Sequence, residues 1–145
     1  MLLSCSHICW LRGTGVKPFT VLCVATLKGV RLFNWQTREM TTVPFSSQFD
    51  ACGIACSPSG HLIVSGYKTH SIYCVHPITG QTSRIAGTGT EGFVNGDALT
   101  AAQFNAISCI AIVESERCLA VADACDHCIR KVPLSNDFFA VAGTL

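Results

Sequence analysis

Apolar residues in this chain fall in short runs of four to six, broken by Gly, Pro, Ser and Asn, instead of recurring at helical spacing. Runs of that length bounded by turn residues read as β-strands. In the middle of the chain they predict strands over Gly53–Cys56, Leu62–Ser65, Ser71–Val75 and Thr82–Ala86, with breaks at Ser57–Gly60, Gly66–His70 and Pro77–Gly80. Nearer the C-terminus they predict Cys109–Val113, Leu119–Ala122, Ile129–Val132 and Phe138–Ala142. The one helical expectation is a turn at Asp97–Gln103. The pattern is all-β.

The two sets of strands are copies of each other. Phe49–Val75 aligns with Phe104–Val132: Ile54-Ala55 meets Ile110-Ala111, Leu62-Ile63-Val64 meets Leu119-Ala120-Val121, and His70, Ile72 and Val75 meet His127, Ile129 and Val132. Arg84–Thr88 then reappears as Ala140–Thr144, so Ala86 and Ala142 stand 56 residues apart. A third, degenerate copy precedes them, with Val21–Ala25 matching His61–Ser65 and Arg31–Phe33 matching Ser71–Tyr73. Here the step from Val24 to Val64 is 40 residues, and Val30 is expected where the other copies carry histidine. A four-stranded repeat takes about 40–45 residues, so the excess in the longer step is assigned to a Gly-rich arm. The expected organisation is a first unit at 1–48, a second at 49–87, the arm at 88–103 and a third unit at 104–145.

The ordered series Ala86-Gly-Thr-Gly89, Gly92-Phe93, Asn95-Gly96, Phe104-Asn105, Val121-Ala-Asp123, His127 and Ile129-Arg-Lys131 resembles the NHL-repeat β-propeller family. The resemblance covers Thr82–Thr144 most fully and Phe49–Val75 in part. It departs at Cys109, where the family prefers Gly, at Val113-Glu114 in place of Asp-Pro, and at Ser65-Gly66, where the last unit has Ala122-Asp123. It implies a β-propeller of about three four-stranded blades, with Gly87, Phe93, Phe104, Asp123 and His127 as structural repeat positions. Propellers close on four to eight blades. Three units therefore imply part of a longer ring, or self-association of chains to close one.

Composition adjusts this picture slightly. Hydrophobic residues make up 49% and charged residues 13%, against about 25% charged in an average soluble domain, as expected for strands covered on both faces. The net charge of +1 and the scattered Lys and Arg argue against nucleic acid and anionic membranes as partners. No apolar run reaches the roughly 18 residues that span a bilayer. Ten cysteines could suggest a disulfide framework. Cys23, Cys56, Cys74, Cys109 and Cys118 instead lie in or beside apolar runs, where a free thiol packs as a small hydrophobe. With no basic, apolar leader at the N-terminus, free thiols in a reducing cytoplasmic compartment are expected.

Candidate chemistry is sparse. Cys125-Asp-His-Cys128 offers Cys125, His127 and Cys128 to a metal, but zinc wants four ligands and no second CxxC occurs. A structural turn is the expectation, with no metal and no cofactor. His70 and His127 recur at equivalent turn positions, where a structural hydrogen bond is expected. Asp123 precedes a turn and is suited to accept backbone N–H bonds. Gly87–Gly92 fits GxGxxG but lacks the strand-to-helix context of a phosphate loop. The expectation is a non-catalytic recognition scaffold for a protein or peptide partner. The alternatives are a propeller domain of a lyase- or hydrolase-type enzyme, or an RNA-binding module.

Overall fold

The computed structural model describes residues 8–11, 20–26, 28–44 and 50–139. It holds eleven strands and two 3-10 turns, Glu114–Glu116 and Asn136–Phe138. The first sheet comprises β1 (Ile8–Trp10), β2 (Val21–Thr26), β3 (Gly29–Asn34) and β4 (Met40–Thr42). The second comprises β5 (Ala51–Cys56), β6 (Leu62–Gly66), β7 (Ser71–Val75) and β8 (Thr82–Ala86). The third comprises β9 (Ile107–Val113), β10 (Cys118–Asp123) and β11 (Cys128–Pro133). Each is an antiparallel meander, and the sheets stack face to face in chain order.

Strand pairing explains the sequence pattern. Cross-strand partners share a face, so Ile54, Val64 and Tyr73 lie on the front of the second sheet, with Leu62 and Val75. They meet Cys23, Ala25 and Val30 of the first sheet in one core. Ala55, Ile63 and Ile72 lie on the rear and meet Ile110, Leu119, Val121 and Val132 of the third sheet in another. With both faces covered, β5 and β6 lose the alternation of a half-exposed strand and read as unbroken apolar runs. Among the described residues the third sheet is covered on its front only. There β11 alternates, with Arg130 and Val132 buried and Ile129 and Lys131 exposed. Each fully buried aliphatic side chain contributes about 1.5–3 kcal/mol.

The first strands of the second and third sheets, β5 and β9, lie against each other. Gly53 permits this: a Cβ there would sit 2.9 Å from the Ile110 nitrogen and 2.8 Å from the Ser65 hydroxyl. Its repeat equivalent, Cys109, points to the rear of the third sheet, where no further sheet lies among the described residues.

Two expectations need correction. The fourth strand at Phe138–Ala142 does not begin at Phe138, which closes the 3-10 turn Asn136–Phe138, followed by Phe139 in a helical conformation. Phe138 and Phe139 pack against the core edge, and the Phe138 carbonyl accepts the Ser59 N–H at 3.2 Å. The remainder of that stretch lies outside the described residues, and the third sheet is three-stranded among those described. Val30, in turn, is not the counterpart of the histidines. Thr26 pairs with Gly29 where Gly66 pairs with Ser71 and Asp123 with Cys128. The first hairpin is two residues shorter, so Val30 is equivalent to Ile72 and Ile129.

Candidate functional site

Two four-residue turns recur at one end of the stack: Tyr67–His70 between β6 and β7, and Ala124–His127 between β10 and β11. Both end on a histidine in the left-handed region, His70 at φ 46° and His127 at φ 51°. Histidine is among the few non-glycine residues enriched there, so the repeated feature is a backbone conformation. The expected structural side-chain hydrogen bond does not form: the His127 ring is exposed, and His70 Nδ1 is buried with no partner. The turns are pinned from below by backbone bonds, Tyr67 N–H to the Asp50 carbonyl at 2.9 Å and Ala124 N–H to the Ala106 carbonyl at 3.2 Å.

The Gly-rich arm runs between these turns. Gly87 (φ 88°) starts it where a Cβ would lie 2.4 Å from the His70 carbonyl oxygen, which leaves room for glycine alone. Asp97 caps one turn, accepting the Thr100 hydroxyl at 2.8 Å and the N–H groups of Thr100 and Leu99 at 2.9 and 3.1 Å. Those bonds, the hydroxyl first, hold its carboxyl below the ordinary range. The helical turn expected at Asp97–Gln103 is this single turn, closed by Ala101 and Ala102 N–H on the Asp97 carbonyl.

Arg130 fastens the arm. Its guanidinium donates to the Gln103 and Val94 carbonyls, both at 2.6 Å, to Asn95 Oδ1 at 2.9 Å and to Asp123 Oδ2 at 3.1 Å. Asp123 Oδ1 accepts the Asn105 N–H at 2.7 Å. The guanidinium lies between two rings, 5.1 Å from the Phe93 centroid and 4.7 Å from that of Phe104. Asp123 and Arg130 are 0% and 8% exposed, so this is a buried ion pair with its other valences met. Of the repeat positions, Asp123, Phe104, Phe93 and Gly87 thus serve the arm, and His127 the turn. Arg130, their hub, entered the sequence reading only as part of the Ile129-Arg-Lys131 motif, with no role assigned.

Three buried side-chain polar atoms lack a partner among the described residues: Thr69 Oγ1, His70 Nδ1 and Asp126 Oδ2. All lie in the two equivalent turns, Thr69 and Asp126 at the same turn position.

Among the described residues no group of three or more His, Cys, Asp or Glu could hold a metal. Cys125, exposed, and Cys128, half-buried, are separate thiols, as are all nine described cysteines. Ser57, Ser59 and His61 join in a chain, with hydroxyls 2.9 Å apart and Ser59 Oγ 3.1 Å from His61 Nδ1. Ser57 Oγ also accepts the His61 N–H at 3.0 Å, locking the β5–β6 turn. A groove of about 700 Å³ runs beside β11, lined by Phe93, Asp97, Phe104, Ile129 and Lys131, with Arg130 turned to the arm.

The thiols give one direct check. Cys23 faces Cys9 across β1 and β2, and that hydrogen bond, with burial, pushes its pKa far up. Thiolates react and thiols do not. At neutral pH, Ellman's reagent should label Cys125 first, and Cys23, Cys52 and Cys118 roughly tenfold or more slowly, after local opening. Mass spectrometry of the quenched time course reads the order.

The fold defines an all-β protein of stacked antiparallel sheets. No protein-family model matches the sequence, and no curated protein matches it. Solved structures do match. An auxiliary nutrient binding protein from Bacteroides ovatus is 16% identical, with a TM-score of 0.68 over 88% of this chain and 36% of its own. One from Bacteroides thetaiotaomicron is 19% identical, with a TM-score of 0.62 over 78% of this chain and 34% of its own. A third protein, also from Bacteroides thetaiotaomicron and provisionally described as a phosphatase, is 15% identical, with a TM-score of 0.65 over 90% and 35%. Identities this low establish the shared sheet architecture alone. The chain spans about a third of the length of these structures.

Proposed function

We propose that the chain is a segment of an NHL-type β-propeller and acts as a recognition scaffold that binds a protein or peptide through its row of turns. The observation that carries this is the pair of equivalent turns on adjacent sheets, which present Tyr67, Lys68, Cys125 and His127 to solvent in one row. A partner crossing both turns meets a phenol ring, an ammonium and an imidazole on backbones already pinned to the sheets. Little ordering is then needed on this side, which favours affinity. Exposed Tyr67 adds an aromatic anchor of the kind that dominates interfaces.

Support for the propeller reading comes from the repeat-equivalent packing of the sheets and the ordered motif along the arm. Two neighbouring structures are named as nutrient binding proteins, which agrees with a binding role. The near-neutral charge favours protein over nucleic acid.

Panning a displayed peptide library on the intact protein tests this, with the Tyr67→Ala/His127→Ala double variant as counter-selection. Peptides that bind the native chain and lose at least tenfold affinity for the variant would support the turn row. Equal binding to both proteins, or homopolymeric RNA held at physiological salt where no peptide is, would overturn the reading.

A further inference from the structure

We propose that the rear face of the third sheet is a docking surface for the front face of the first sheet of a second copy of this chain. The contact would continue the stacking already present inside each copy. It concerns the end faces of the stack and stands apart from the turn row.

The rear of the third sheet repeats the face that the second sheet buries. The common register makes Ala111 equivalent to Ala55, Ala120 to Ile63, and Ile129 to Ile72. Ile72 is fully buried, whereas Ile129 is 73% exposed. An isolated exposed isoleucine is ordinary. One standing in the slot its counterpart fills with a neighbouring sheet is half of an interface.

The other half is at the opposite end. The front of the first sheet carries Ile8, Trp10, Leu22, Val24 and Phe33, with exposed Arg31 opposite Val24 on the same face. By the same register Leu22, Val24 and Phe33 are equivalent to Leu119, Val121 and Val132, which pack on the rear of the second sheet. Ile8 is 57% exposed.

Side-chain size selects a second copy over an arbitrary sheet. The rear of the third sheet is shallower than that of the second, with Ala120 in place of Ile63, and beside it Lys131 is paired with Glu116. The front of the first sheet is bulkier than that of the third, with Trp10 in place of Ile112 and Phe33 in place of Val132. Each departure offsets the other, as complementary packing requires. The contact is heterologous, front on rear, so it closes a ring or extends according to the rotation between copies.

Sedimentation velocity on the intact chain under reducing conditions, across a hundredfold range of concentration, tests the proposal. The native protein should associate. Ile129→Asp and Val24→Asp should each weaken association at least tenfold while keeping the β-sheet circular dichroism spectrum, and Ala111→Arg serves as a second rear-face variant should Ile129→Asp fail to fold. An equimolar mixture of the rear- and front-face variants should form a 1:1 heterodimer, because one intact front still meets one intact rear. A native protein that stays monomeric, a Val24→Asp variant that associates normally, or a mixture that does not pair would each overturn the proposal.

Discussion

Replacing Arg130 with Ala will lower the unfolding free energy by about 3–5 kcal/mol, read from urea unfolding followed by circular dichroism. The size follows from what is left behind. Asp123 is fully buried, and removing its partner strands a carboxylate away from water. The Val94 and Gln103 carbonyls lose their donor as well. Arg130→Lys will recover only part of the loss, since one ammonium cannot reproduce the fork that spans Asp123, Asn95 and two carbonyls. Removing both charges, as in Arg130→Met/Asp123→Leu, will remain well below the native protein. The Asn105 N–H and the arm carbonyls stay unpaired in it. A double variant as stable as the native chain would show that the pair, and not the strapping of the arm, sets the cost.

Phe104→Ala is the second large effect, also about 3–5 kcal/mol, the usual range for a buried aromatic truncated to Ala. Phe104 is 1% exposed, packs with Ile107 and Leu119, and backs one side of the Arg130 guanidinium. Phe93 backs the other side but is 58% exposed. Its truncation should cost only about 0.5–1 kcal/mol, the value of an exposed cation–π contact. The same unfolding measurement on both variants decides the matter. Equal losses would mean that the outer ring closes the arm, against the burial seen here. Phe104→Ala and Arg130→Ala share a contact and should be less than additive when combined.

The strands of the second and third sheets were legible because their runs are apolar without interruption and their turns are marked by Gly, Pro and Ser. Burial on both faces writes itself into sequence that way, and β6, β7 and β8 fall within a residue of where the pattern puts them. β1 and β4 left no such mark. Each is three residues long, and Met40–Thr42 is exposed throughout, so nothing apolar distinguishes it from a loop. The register of the first hairpin was misread because the alignment held its length fixed, and only pairing shows it two residues shorter.

At the site, sequence marked the glycine, the two phenylalanines and Asp123 as repeat positions, and placed Arg130 in the Ile129-Arg-Lys131 motif without giving it a role. A signal was present: Arg130 shares strand parity with Val132, which is buried, and so points inward. A charged side chain on an inward position is easily dismissed without its partners in view, and those partners lie 7 to 36 residues away. The orphaned atoms of Thr69, His70 and Asp126 had no sequence signature, because lacking a partner is a property of assembled geometry.

The strap bears on how the chain is made. Val94 is added to the chain 36 residues ahead of Arg130, an interval of about 2–7 s at ordinary rates of synthesis. Through that interval the second sheet is already complete, while the arm has nothing to grip and its carbonyls are left to water. One late side chain then ends the wait. A codon change that slows translation between Gly96 and Lys131 would lengthen the exposure of the nascent arm without altering the finished protein.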